Sequence, residues 1–371
     1  MLVYCTMYLY CLAIFITNHR IANKRIKAAL EITALLFLGF VAGFADLLQI
    51  SDMQIYQKTY SVVPVLQKFH FSDIYQIYGT FNMEKGFLFL IAALKTFHIS
   101  FRGFLILHTV FCLSAFYYGL KQLTDDFAIV ILFILYKIYF YNLFISMRQS
   151  ITIAIFCLIV RYIYEGKKWR YWIGCIIAFS IHHAAVILFP LYFVRFFKIN
   201  KRRMIVCSVA MGLVSLLIDI RLIVAKLVIY IPNIIAQKKI MNYLNCEDSL
   251  NLFHIIEFFA IMILVAVFYE HWVQDDEKAE MIMKLMMVLL LILTVGRRFS
   301  IVTRLKDYFT IFYGIIFSWA YKLENRKNRV MIFIFAVLLC FYGYLRYILS
   351  FGDGHSLLPY KNVIFEMLGL G

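Results

Sequence analysis

Charge is scarce in this sequence. Only 16% of its 371 residues are Asp, Glu, Lys or Arg, and 64% are apolar, whereas a soluble domain is about a quarter charged and nearer half apolar. That shortage excludes an ordinary soluble fold. Proline is scarcer still, at four residues, and sixteen glycines leave little for long flexible linkers or low-complexity tails. No internal repeat of solenoid period is present. The eight cysteines include no C-x-x-C pair and mostly lie within apolar runs, so they read as small buried hydrophobes. There is no H-x-x-x-H pair and no carboxylate-rich partner for one, so no metal site and no cofactor are expected.

In place of charge there are long apolar runs. Windows near the length that spans a bilayer, about 20 residues, fall at 2–17, 28–50, 86–98, 103–120, 127–146, 150–164, 171–193, 204–229, 252–270, 281–296, 308–320 and 330–349. They predict an all-α, polytopic integral membrane protein with roughly 12 (about 11–14) transmembrane helices, forming a single transmembrane domain over 1–371. Several windows are short, which calls for tilt or burial within the protein. The opening run MLVYCTMYLYCLAIFIT lacks a charged n-region and an A-x-A site, and so reads as a first membrane helix and not as a cleaved signal.

Basic residues outnumber acidic ones 37 to 21, a formal charge of +16. The excess sits in short runs between apolar segments: HRIANKRIK (19–27), EGKKWR (165–170), RFFKINKRR (195–203) and YKLENRKNR (321–329). This is the pattern of cytoplasmic loops facing anionic lipid. No aromatic-interleaved basic groove stands apart from it, so nucleic acid is not an expected partner. The two long connections, 51–85 and 230–251, are expected on the non-cytoplasmic side. EGKKWR and RFFKINKRR both read as cytoplasmic, although a single apolar run, 171–193, separates them. Either that run is broken at His182-His183 into two half-helices, or one basic loop lies outside; the first is preferred, since irregular backbone is tolerated where it lines a cavity.

Against this background a few polar residues stand out. Arg148-Gln149 interrupts an apolar stretch in FISMRQSIT, and a guanidinium at membrane depth costs at least about 3 kcal/mol. His182 and His183 sit in CIIAFSIHHAAVILFP. GRRFSIVTRLKDYF gathers Arg297, Arg298 and Arg304, with Tyr308 four residues on and on the same helix face. Asp52 and Tyr56 are four apart in the first long connection, and Glu84 precedes Gly86. Each has a plainer reading: a snorkelling arginine, a hydrogen-bonded helix histidine, a surface carboxylate. Together they describe a cavity of arginines, histidines and carboxylates. Arginine forks match phosphate oxygens bidentately, which suits a lipid-linked pyrophosphate as leaving group, with a base to accept the proton of an incoming hydroxyl.

The order of these elements resembles the EpsG family of membrane proteins, akin to Wzy-type polysaccharide polymerases. MRQSITIAIF…YIYEGKKWRYWIGCIIAFSIHHAAVILFPLYF (147–193) resembles the family's R-Q-x-x-A-like helix start, basic loop and H-x-(S/A)-A-like helix, although Thr152 stands where the alanine is usual. Asp52 and Tyr56 look like the first-loop D…Y element without its preceding R-G, Glu84 and Gly86 like an E-x-G helix start, and Arg304 and Tyr308 like a late R-x-x-x-Y. The resemblance covers about residues 40–360. It implies polymerisation of undecaprenyl-pyrophosphate-linked repeat units for capsule, exopolysaccharide or O-antigen at the bacterial inner membrane. Arg148, Arg297, Arg298 and Arg304 would hold the pyrophosphate, and Gln149, Tyr56 and Tyr308 would contact the substrate. His183 would act as base, with His182, Glu84 or Asp52 as alternatives. The implied partners are the glycan-lipid, membrane lipid, and a chain-length regulator and flippase of the same pathway. A flippase for such lipids, or a glycan acyltransferase, would share much of this chemistry.

Overall fold

The computed structural model describes residues 1–46, 50–70, 76–77, 79–217, 219–232, 234–245, 252–273, 276–294, 296, 304–323, 325–349 and 357–367. The chain forms two compact units, Met1–Phe189 with Phe317–Gly371, and Pro190–Ile316. Both are helical.

The first unit begins with α1 (Leu2–Arg20), α2 (Lys24–Gly43), α3 (Ser51–Val62), α4 (Lys85–Thr96), α5 (Phe101–Lys121), α6 (Phe127–Ile134), α7 (Met147–Ile159) and α8 (Lys168–Ile181). Uninterrupted Leu, Ile, Phe and Ala supply the apolar faces, and local chemistry sets several ends. Asn23 accepts from the Arg25 N–H to start α2, and Ser100 accepts from the Gly103 N–H to start α5. From Leu135 to Leu143 the coil widens into a π-helix, a rare form that often adjoins functional sites. It delivers the chain to Arg148.

Among the described residues, six helices are long and apolar enough to cross a membrane: Leu2–Arg20, Lys24–Gly43, Phe101–Lys121, Met147–Tyr164, Ile256–Val273 and Arg326–Leu349. Twelve apolar windows therefore do not become twelve long helices. The windows at 86–98, 127–146 and 171–193 are divided into shorter pieces by an early helix end, a π stretch and a break.

Helices α5 and α7 run parallel, as the pairs His108–Ser150, Gly119–Cys157 and Gln122–Arg161 show, and their pairing fixes two ends of the first unit. At one end Arg161 donates to Gln122 (3.0 Å), Lys121 pairs with Glu31 (2.5 Å), His19 with Asp126 (2.9 Å) and Lys322 with Asp125 (3.1 Å). The basic runs at 19–27, 165–170 and 321–329 thus converge there. At the other end His108 meets Ser150, and Arg148 lies about 20 Å from Arg161 along the helix rise. Where the two helices cross, Gly119 is required: a Cβ there would stand 2.9 Å from that of Cys157.

Helix α8 stops at His182, whose backbone turns extended (φ −152°, ψ 122°), and a 3-10 stretch His183–Ile187 follows. The Tyr171 hydroxyl, near the start of α8, donates to Leu188 O at 2.7 Å. The chain has therefore reversed and returns alongside α8. A reversal here is what two basic loops separated by one apolar run require.

In the second unit, the helices Lys201–Leu217, Leu252–Val273 and Glu277–Thr294 pack together. Tyr269 OH donates to Ile199 O (2.8 Å) and Ser208 meets Met287 Sδ (3.7 Å).

Candidate active site

The site forms where three segments of the first unit meet: the start of α4, the start of α7 and the break after α8. Glu84 occupies the position that precedes α4, yet its carboxylate does not cap that helix. It reaches across to the end of α8 instead. Oε1 accepts from His182 Nδ1 (2.8 Å) and from the His183 backbone N–H (3.2 Å), and His183 Nδ1 lies 3.8 Å away. Oε2 accepts from Arg148 Nη1. The carboxylate takes the N–H that would have continued α8, so the break in that helix is held by a residue almost a hundred positions earlier.

Arg148 is further placed by Asn82, whose carbonyl accepts from Nη1 (3.2 Å), and by Tyr56, whose ring lies 5.8 Å beneath the guanidinium. Asn82 has φ 52°, a left-handed conformation that Asn tolerates better than most residues. The reversal at Asn82 brings Glu84 back toward α7. Gly86 permits the last approach: a Cβ there would sit 2.6 Å from Ser180 O and 2.7 Å from its carbonyl carbon. The α4 start can therefore lie directly on the α8 backbone.

The electrostatics follow from this geometry. Burial alone would raise the Glu84 carboxyl, but the His182 hydrogen bond and the Arg148 guanidinium overrule it and hold it well below the usual carboxylate range. Burial raises the Tyr56 phenol against the opposing charge of Arg148. Because a carboxylate can only accept, His182 carries a proton on Nδ1. Arg148 Nη2 meets no partner among the described residues. The side chains of Glu84, Arg148 and His182 are 5%, 19% and 23% exposed, and that of His183 is 55% exposed. The cluster is thus buried on the carboxylate side and open on the imidazole side.

Of the residues read from the sequence, Glu84, Arg148, His182, His183 and Tyr56 come together. Asp52 is exposed in the first turn of α3, where its charge adds to the rise of the Tyr56 phenol. Gln149 is buried, with Ser146 at 3.5 Å, and so faces the protein. Arg297 and Arg298 lie outside the described residues. Arg304 is exposed and Tyr308 buried in the second unit. Asn82, His108 and Ser150 carry no sequence signal of their own. Only a histidine inside an apolar helix could have drawn attention to His108.

Among the described residues the fold is helical, six helices are long and apolar enough to cross a membrane, and one buried carboxylate is held between a histidine and an arginine. A family model, the EpsG family, matches residues 28–362. That is 335 of the 371 residues (362 − 28 + 1), and the chain belongs to this family, the family of Wzy-type polysaccharide polymerases. No curated protein and no solved structure matches it.

Proposed function

We propose that this protein joins undecaprenyl-pyrophosphate-linked oligosaccharide units into a surface polysaccharide. The observation that carries the reading is the shared Glu84 carboxylate, which orients an imidazole with one oxygen and a guanidinium with the other. An acceptor-sugar hydroxyl attacks the anomeric carbon of the donor. The new glycosidic C–O bond forms as the bond from that carbon to the pyrophosphate oxygen breaks, and polyprenyl pyrophosphate departs. The hydroxyl proton passes to His182 Nε2, and Glu84 stabilises the imidazolium so formed. Arg148 Nη2, at the start of α7 where the helix dipole favours anions, receives the departing charge. Geometry favours His182 over His183 as the base, since only His182 is oriented by a short bond to the carboxylate. His183 then contacts the acceptor. Arg297, Arg298, Arg304 and Tyr308 remain proposed contacts to donor phosphate or sugar.

The side of the membrane follows from charge. The end carrying the basic runs is cytoplasmic on the positive-inside rule, so the Glu84 cluster opens toward the other face, where finished units would be joined. The whole chain acts as one transmembrane enzyme of the bacterial inner membrane. Deleting the gene tests the reading. Loss of long chains with retention of single repeat units, resolved by size on a gel, is the expected result; loss of all surface glycan would overturn it in favour of a transport step.

A further inference from the structure

We propose that His108 is a positioning residue for Arg148. The inference rests on the role of Arg148 in the proposed reaction, but its geometry is independent of that role. His108 lies in α5 and is 4% exposed. Its Nε2 stands 2.6 Å from Ser150 Oγ, and Ser150 is fully buried. Ser150 Oγ also lies 2.7 Å from Met147 O; with its single proton given to that carbonyl, its oxygen accepts from the ring and His108 is the Nε2–H tautomer.

His108, Ser150 Oγ and Met147 O therefore form a chain of donors ending on the carbonyl immediately before Arg148. This chain occupies the first turn of α7, where the preceding residue, Ser146, supplies no side-chain cap. A first turn without a cap frays readily, and fraying here would swing the guanidinium away from Glu84. His108 instead ties that turn to a neighbouring helix through the buried Ser150 hydroxyl. It never touches the reacting atoms.

The test separates anchoring from packing and from the polymerase reading itself. Arg148 is modified with phenylglyoxal in the purified full-length protein, and the rate is read at that residue by peptide mass spectrometry. His108→Phe, which keeps the ring volume but not the donor, should raise the rate several-fold. It should also raise KM for the glycan-lipid more than it lowers kcat. His108→Gln, which can still donate, should restore both. In an Arg148→Lys background, His108→Phe should have little further effect on KM, as expected for residues acting through one another. Should His108→Phe fail to fold, Ser150→Ala gives the same readout with the histidine retained. An unchanged Arg148 rate in a folded variant overturns the proposal, as does a faster rate with unaltered KM and kcat. If wild-type protein extends no glycan, the function is wrong, and the phenylglyoxal rate alone still decides whether His108 holds Arg148.

Discussion

A guanidinium beside Glu84 has two duties, and lysine can take over only one. Lys can pair with the carboxylate, but it has no planar fork with which to hold Glu84 and Asn82 while offering Nη2 outward. Hydrogen bonds to charged groups contribute about 1.5–3 kcal/mol, so Arg148→Lys should slow polymerisation roughly ten- to a hundred-fold while leaving membrane insertion intact. Polymer length unchanged at equal protein level would reduce Arg148 to a structural ion pair. The two histidines should separate in the same assay. His182→Ala should lose about 10²–10⁴-fold in rate, the usual contribution of a positioned base, whereas His183→Ala should act mainly on KM. Glu84 also fixes a pH expectation. Its folded pKa is lowered, so the stability it contributes is fully present above the ordinary carboxylate value of about 4.3 and is lost only as pH falls through the lower folded value. Between pH 8 and 5 Glu84 stays ionised. A fall in activity as pH drops through the imidazole range is expected, and it belongs to a histidine. An acid limb unchanged in His182→Ala would assign it elsewhere.

At the scale of elements, the junction of α4 with α8 is the most demanding contact in the site. Gly86→Ala places a methyl against the Ser180 carbonyl group, and overpacking of this kind costs about 1–3 kcal/mol. The variant should melt at lower temperature and lose activity together, because separating the helices pulls Glu84 from His182. Ser180→Ala should not rescue it, since the clash includes backbone atoms; full rescue would show that the side chain alone set the limit. The same junction explains what could be read from the sequence. Helical class, membrane residence, and the peculiarity of Arg148, His182 and Glu84 all follow from composition and from polar residues in apolar runs. The clamp did not follow, because Glu84 and His182 are joined across 98 positions; the break at His182-His183, which no proline or glycine marks, is legible only through the two basic loops that flank it. Helix count is not legible for a related reason: hydropathy windows cannot distinguish a long span from a short helix continued by a π or 3-10 stretch. His108 gave no pattern at all, as its partner is chosen by the crossing of α5 and α7.

At the scale of the molecule, basic runs mark one end of the first unit and the Glu84 cluster marks the other. Sidedness is testable with single cysteines in a background whose eight native cysteines are replaced. With an impermeant thiol reagent, Thr80→Cys, close to Asn82, should be labelled on intact cells, and Lys167→Cys only after lysis. Labelling of both from the same side would contradict the assignment of the basic end to the cytoplasm. The central claim is chemical, and purified protein in liposomes with a lipid-linked repeat unit tests it most directly, with product length followed over time. Wild-type protein should extend chains and release polyprenyl pyrophosphate in equal number to the linkages formed. His182→Ala should bind the glycan-lipid yet barely extend it. Movement of the lipid across the bilayer with no linkage formed, or extension by His182→Ala at the wild-type rate, would contradict the account.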